Sequence, residues 1–567
     1  MKKERTLAFI LSLALALGLA ACGGDGKSGT TDGVSGTAVE KLSQEPSQKV
    51  SAAAEETKGA GEGSSDELVV AMTKDENTLT PFTYVTGTPG FDVMRFLYDS
   101  LFTIDANNEA VPWMVEDEYT VNEDFTEFTV TLKDGQRWHD GEPVTAEDVK
   151  FTFDYVRTQS TGRWITIASA VKEIAVSGNE ITFTLAEPNP SFIRDGLADM
   201  RIIAKHKYDG VEDGTTVDNM GSGPYRLAEY VTGEYYTLEA VDDYFRGTPT
   251  VKTIRMPIVT DSSVTQQMLL SGEIAAFTGT ITPEVVDTFE AAEDVELLQS
   301  EGFASTLLLF NCERAPFDNA KFRTALSQAI NLDELVEQVY LGMAEKGTAG
   351  HVKEGLAEYV AGLDYVYDVD GANALLDELG YTERDGDGMR LALDGAEMDL
   401  EFLVYSGSTL RIRMAEIISM QFEKIGVRAT VTSLDADTVD AMVWPGFDVA
   451  SGRDFDLSMW GWSAPVVQKS GVIITMCDSD PTLGGDNLGG YVNPDFDALA
   501  AEYLASSDTE FRRETNEKLQ RMAAADTPFV TLLFSDNISA VNTSAYDGWV
   551  TAAGTCAFNV FSFLPQQ

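Results

Sequence analysis

The chain has 567 residues, 44% hydrophobic and 10% aromatic, which excludes a mainly disordered protein and leads to an expectation of roughly two to four domains or subdomains. Its 40 Lys and Arg stand against 92 Asp and Glu, a formal net charge of -52, and a surface this negative repels phosphate backbones, so nucleic acid is excluded as a partner. Only 3 His and 4 Cys are present, too few soft ligands for a zinc or transition-metal enzyme, and neither a metal nor a cofactor is expected.

Taken from the N-terminus, Lys2, Lys3 and Arg5 precede an apolar run over residues 7–19 that is too short to span a bilayer as a mature helix. Residues 1–21 therefore read as a signal peptide. The run ends Leu19-Ala20-Ala21-Cys22-Gly23, which resembles the bacterial lipobox and implies lipidation of Cys22 as the first mature residue. Residues 22–65 then form a linker, because residues 23–65 lack aromatics and are rich in Gly, Ser, Thr, Ala, Glu and Lys. As a random coil that linker reaches roughly 35–40 Å, enough for a tethered globular part to move near the membrane. No later stretch approaches the length of a membrane span.

Strand-like and helix-like segments alternate through the rest, which argues for an α/β protein. Strands are expected at 68–72, 125–132 and 180–185, the last two from alternation of apolar and polar residues. Helices are expected at 145–156, 319–340, 370–379, 410–425 and 511–524, with Thr145 as a cap and Gly380 and Gly426 as stops. Three cysteines remain after Cys22, namely Cys312, Cys477 and Cys556. A bridge between Cys312 and Cys477 and three buried thiols are equally open readings.

Residues 132–149, Leu-Lys-Asp-Gly-Gln-Arg-Trp-His-Asp-Gly-Glu-Pro-Val-Thr-Ala-Glu-Asp-Val, read as a strand, an Asp-Gly turn, a short exposed strand, a second Asp-Gly turn and a capped helix. The run resembles the signature of family 5 extracellular solute-binding proteins, the dipeptide, oligopeptide and nickel-binding components of ABC importers. Further resemblances follow in chain order. They are the Tyr98-Asp99-Ser100-Leu101 helix end, Gly221-Ser222-Gly223-Pro224-Tyr225 with Tyr244, the Pro316, Phe317, Arg323, Ala325 and Ala329 pattern, Leu379-Gly380-Tyr381, and Phe455-Asp456 with Gly461-Trp462.

The resemblance implies a two-lobed periplasmic-binding-protein-like fold of type II, cluster C, with an extra inserted domain. It divides the chain into domain I at 66–112, 220–306 and 525–567, domain II at 113–219, and domain III at 307–524. A monomer is expected that closes about a hinge on a small peptide-like solute and delivers it to ABC permease and ATPase subunits. The whole would sit on the extracytoplasmic face of the cell membrane, anchored by lipid at Cys22.

His139 reads as a hydrogen-bonded structural residue, and 384–388, Arg-Asp-Gly-Asp-Gly, as a polar hairpin turn that lacks the later ligands of a calcium loop. There is no nucleophile elbow, phosphate loop or His-Glu-x-x-His helix, so no catalytic residue is assigned. For ligand contacts, Trp462 ends a strand before an irregular loop, where it can stack on a ligand or pack in the core. Arg411 and Arg413 open a predicted helix where dipeptide-binding relatives place an Arg that grips the ligand carboxylate. Register favours Arg413, which directly precedes Met414-Ala415-Glu416. Peptide-binding relatives also carry an Asp soon after Gly-Trp, whereas residues 463–469 here hold no acid. A free peptide amine would need another acceptor. Trp460, Trp462 and Tyr491 can alternatively stack on sugar rings, which keeps an oligosaccharide open, and a peptide-sensing receptor without uptake begins with the same closure. A secreted hydrolase would need a nucleophile, a base and an orienting group, and the rarity of His together with the absent elbow counts against it.

Overall fold

The computed structural model describes residues 66–82, 89–105, 108–159, 164–217, 219–445, 448–449, 451–480, 486–551 and 555–565. The signal peptide, Cys22 and the linker lie outside the described residues. Among the described residues no helix is long and apolar enough to cross a membrane.

Among the described residues, which belong to one compact unit, three main sheets organise the fold. A five-stranded sheet runs in the order Ala276–Phe277, Glu67–Ala71, Thr253–Pro257, Tyr235–Ala240, Tyr225–Val231. Its first three strands are parallel and the rest antiparallel. A four-stranded antiparallel sheet holds Thr120–Val121, Glu127–Thr131, Glu180–Leu185 and Val171–Ser177. The alternation in Glu180–Leu185 puts Ile181, Phe183 and Leu185 in the core, where Phe183 packs against Phe153 and Phe192. The helix Ala146–Val156 covers this core. Thr145 and Asp148 close a capping box at its start, and Asp148 Oδ1 also accepts from the Lys205 N–H at 2.9 Å.

A six-stranded sheet forms the other half, in the order Ala344–Lys346, Phe529–Asn542, Val295–Phe310, Leu457–Trp462, Asp399–Tyr405, Arg428–Leu434. Two of its strands are much longer than the rest. Val295–Phe310 and Phe529–Asn542 pair antiparallel, and their register shifts between Ser300 and Ala304. On one side of the shift Leu297, Ile538 and Ala540 pack with Ile274 and Phe289 in the first half. On the other side Leu307, Leu308, Val530 and Leu533 enter the cores of the second. The chain therefore crosses between halves on a paired ribbon.

The signature motifs meet in space although they are far apart in sequence. His139 donates from Nε2 to Gly223 O at 3.0 Å and from its backbone N to Gly221 O at 2.9 Å. Burial depresses its imidazole to about 4, so the ring is neutral and structural. Gly221 and Gly223 lie against the end of the helix Pro89–Leu97, where an added Cβ at Gly221 would sit 1.7 Å from Leu97 O.

Several expectations are corrected. The short exposed strand of the signature is a single bridge between Arg137 and Pro143, and Trp138 within it is 2% exposed because its ring fills the core. The strand expected at 125–132 begins at Glu127, since Phe125 turns with φ 51° and its N–H bonds Asn122 O. Residues 319–340 split into helices Ala320–Ala329 and Leu332–Val339, because Ile330 is extended and Asn331 starts a new helix by accepting from the Glu334 N–H. Cys312, Cys477 and Cys556 are all free thiols, so the Cys312–Cys477 bridge is not formed. Burial pushes the thiols of Cys312 and Cys556 up to about 11 and about 12. At 384–388, Asp385 accepts from the N–H groups of Asp387 and Met389 and pairs with Arg428 at 3.1 Å, which closes a hairpin turn.

A buried histidine gives a pH-dependent prediction. His351 is fully buried, with Nδ1 2.9 Å from Thr531 Oγ1 and no partner at Nε2, and burial depresses its imidazole to about 3. The unfolded chain takes up a proton near pH ~6.5 that the native state refuses, so stability falls as the pH drops from there towards the native value. Urea unfolding of the wild type and His351→Gln should show a stability difference that shifts against the wild type by about 1.4 kcal/mol per pH unit across that window. A difference that stays constant between neutral pH and pH ~5 would refute this.

Candidate functional site

A cavity of about 670 Å³ lies at the crossover of the two long strands. Ala304, Ser305, Thr306, Ser535 and Asn537 come from the ribbon itself. One wall is built from the first half by Asp92, Arg95, Asp195 and Arg201, and the other from the second half by Tyr340, Arg411, Trp462 and Lys469. The halves also touch at the rim. Gln468 donates from Nε2 to Asn108 Oδ1 at 2.9 Å, and Arg194 holds Asn108 through its carbonyl at 2.6 Å and its amide oxygen at 2.7 Å.

Arg411 stands in the first turn of the helix Thr409–Glu423, whose N-cap Ser408 accepts from the Arg411 N–H at 3.3 Å. Its guanidinium reaches past Gly461, where an added Cβ would lie 2.5 Å from Nη2, so the absent side chain makes room for the fork. Burial lowers the pKa of Arg411, and the groups that oppose the shift are the hydroxyls of Tyr340 and Tyr405. Among the described residues no carboxylate pairs with it. In a chain with 92 acidic residues, a guanidinium in a cavity wall that no carboxylate of the described residues pairs with can accommodate an anionic group.

Trp462 ends the strand Leu457–Trp462 opposite Ser305 and is 7% exposed, with that exposure on the cavity. Its indole Nε1 has no partner, and neither do the buried hydroxyls of Ser305 and Ser463 beside it. The wall therefore offers donors and acceptors that the protein itself does not use.

The acids of the opposite wall are shifted towards the neutral form. Burial pushes the Asp92 carboxyl up to about 6 and that of Asp195 up to about 7. Asp195 sits in the one-turn helix Phe192–Leu197 and is opposed by Lys469, Arg194 and the Ser470 N–H. Among the described residues no cluster of three or more His, Cys, Asp or Glu side chains could hold a metal ion.

Of the residues read from sequence, Arg411 and Trp462 share this cavity. Arg413, which register favoured, is exposed and lies outside this cavity while Arg411 lines it, because two residues further along a helix turn a side chain about 200° away. Trp460 is half-buried against Trp444 and Trp462 at ring separations of 6.4 and 6.3 Å and does not line the cavity. Tyr491 lines a separate cavity of about 270 Å³ and donates to Asp526 Oδ2 at 2.6 Å. Asp92, Asp195 and Lys469 were missed. For Asp92 a signal existed, a lone acid inside the apolar run Phe91-Asp92-Val93-Met94.

Residues 109–483 match the family model described as bacterial extracellular solute-binding proteins, family 5 middle. The oligopeptide-binding protein AppA of Bacillus subtilis (strain 168) is 25% identical over 554 residues, 95% of both chains. The glutathione-binding protein GsiB of Escherichia coli O1:K1 / APEC is 26% identical over 494 residues, 85% of this chain and 92% of its own. The solved structure of Bacillus subtilis AppA with a nonapeptide superposes with a TM-score of 0.75 at 22% identity, covering 89% of this chain and all of the other. With a match over well over half its length and this two-lobed fold, the chain belongs to the bacterial extracellular solute-binding proteins of family 5, which are substrate-binding proteins of ABC transporters and not enzymes.

Proposed function

We propose that this protein captures a small peptide-like solute with a free carboxylate between its two halves and hands it to an ABC permease driven by ATPase subunits, while lipid at Cys22 holds it to the outer face of the cell membrane. The observation that carries the ligand class is the guanidinium of Arg411 in the cavity wall, which no carboxylate of the described residues pairs with and whose two parallel donors suit a carboxylate. Relatives named for oligopeptide and glutathione binding support the same class. Closure follows from contacts made by both walls. A solute held only by one half favours neither form, whereas one held by both favours the closed form by its additional contacts.

Thermal unfolding of the purified protein against pools of di- to hexapeptides, oligosaccharides and nickel chelates tests the reading. A peptide present at about one hundred times its dissociation constant should add about 2.7 kcal/mol of stability. Arg411→Gln should lose most of that gain while melting normally without ligand. A gain with sugars alone, or an undiminished gain in Arg411→Gln, would overturn the assignment.

A further inference from the structure

We propose that the site reads a dipolar solute with its two charges on opposite halves of the protein, Arg411 receiving the carboxylate and Asp92 the ammonium group. This inference rests on the peptide reading above and goes beyond it by assigning the amine acceptor to a residue of the helix Pro89–Leu97. After Trp462, residues 463–469 offer no carboxylate, so an acceptor must come from elsewhere in the wall.

Among the described residues three carboxylates line the cavity: Asp92, Asp195 and Asp199. Asp199 accepts from the indole N–H of Trp164 at 2.8 Å. Asp195 takes the Ser470 N–H and has Lys469 and Arg194 close by. Asp92 is the least compensated. Among the described residues its hydrogen-bond partner is the Cys556 thiol, a weak donor, with Sγ 3.8 Å from Oδ2, and Arg95 one turn along the helix acts on it through charge. Phe91 and Val93 on either side are buried in the core of the first half, which holds the helix rigid and directs Asp92 towards the cavity. A half-buried carboxylate with so little internal compensation is stabilised by a ligand cation that supplies two or three N–H donors.

The placement has a mechanical consequence. Asp92 belongs to the first half and Arg411 to the second, so an α-amino acid or peptide zwitterion bridges the cleft with one charge on each side. With Asp92 receiving the ammonium group and Arg411 the carboxylate, each half supplies one of the two ion pairs. Both form together only in the closed state, which ties closure to a solute carrying both charges. A solute with only one of the charges leaves a half-buried group of the protein unpaired and binds more weakly.

The test compares one set of di- and tripeptides in three forms, free, N-acetylated and C-amidated, by calorimetry with the wild type, Asp92→Asn, Asp195→Asn and Arg411→Gln, each first shown to melt cooperatively. Acetylation should weaken binding to the wild type by about 10- to 150-fold, the range for a lost hydrogen bond to a charged group. In Asp92→Asn the free and acetylated forms should bind alike while the penalty for C-amidation remains. In Arg411→Gln the pattern should be the converse. Acetylated peptides that bind the wild type as well as free ones would overturn the proposal. So would a penalty for acetylation that persists in Asp92→Asn or vanishes instead in Asp195→Asn. If no peptide form binds the wild type, the peptide reading itself falls and this inference falls with it; if free peptides bind without regard to the amine, only the assignment of Asp92 falls.

Discussion

Replacing Asp99 with alanine is expected to lower the stability of the protein by about 4 kcal/mol, well above the effect of an ordinary substitution. Asp99 is 2% exposed and accepts three hydrogen bonds, from Trp113 Nε1 at 2.9 Å, Tyr244 OH at 2.7 Å and Ser222 Oγ at 3.0 Å. Those donors come from three separated stretches of the chain, so the carboxylate ties the end of the helix Pro89–Leu97 to the Gly221-Ser222-Gly223 segment and the strand region beyond it. Alanine leaves all three donors buried and unmatched. Asparagine keeps the shape but turns an N–H₂ group towards one donor, and should cost about half as much. A pH series separates the charge from the shape. Burial raises the Asp99 carboxyl to about 6, above its unfolded value near 3.9, so between about pH 4 and pH 6 the native state holds a proton that the unfolded chain has released. Its contribution to stability therefore rises as the pH falls through that window, and denaturant midpoints of Asp99→Asn should lack this component. Midpoints of Asp99→Ala within about 1 kcal/mol of the wild type would show that the hub is not structural.

Gly302→Val should be more disruptive still for the coupling of the two halves, costing more than about 3 kcal/mol and removing ligand-induced stabilisation. Gly302 lies at the register shift of the long ribbon, where an added Cβ would sit 1.7 Å from Ser535 O. No side-chain rotamer relieves that clash, because the opposing atom belongs to the backbone of the partner strand. Lys353, 1% exposed at its side chain, donates from Nζ to Gly302 O at 2.8 Å and holds the strand in this close approach. The strands would have to part at the point where they form the cavity floor with Ala304 and Ser535. Gly386→Ala is the control: nothing lies within 4 Å of an added Cβ there, and its melting temperature should stay within a degree or two of the wild type. A Gly302→Val protein that melts and binds like Gly386→Ala would remove the ribbon from the mechanism of closure.

Local features were legible because they depend on residues a few positions apart. Thr145 and Asp148 announce the start of the helix Ala146–Val156, and the apolar alternation of Glu180–Leu185 marks a strand with one buried face. The signature run around Trp138 and His139 identified the family, although what it does physically is hold Gly221 and Gly223 in place rather than touch a solute. The split at Ile330 was hidden because helical periodicity continues on both sides of it, and only the extended backbone with the Asn331 cap breaks the run.

The site was half legible for the same reason. Composition, charge, the family motifs and the candidacy of Arg411 and Arg413 were determined by the sequence alone. Which of Arg411 and Arg413 meets the cavity depends on the phase of one helix against the core beneath it, and that phase is set by packing. That Asp92 lines the same cavity as Arg411 and Trp462 depends on two long strands bringing distant segments together. Periodicity is a property of neighbouring backbone units, whereas a binding wall is assembled from residues whose proximity is decided by the burial of the whole chain, and so the tertiary structure alone chose the partners.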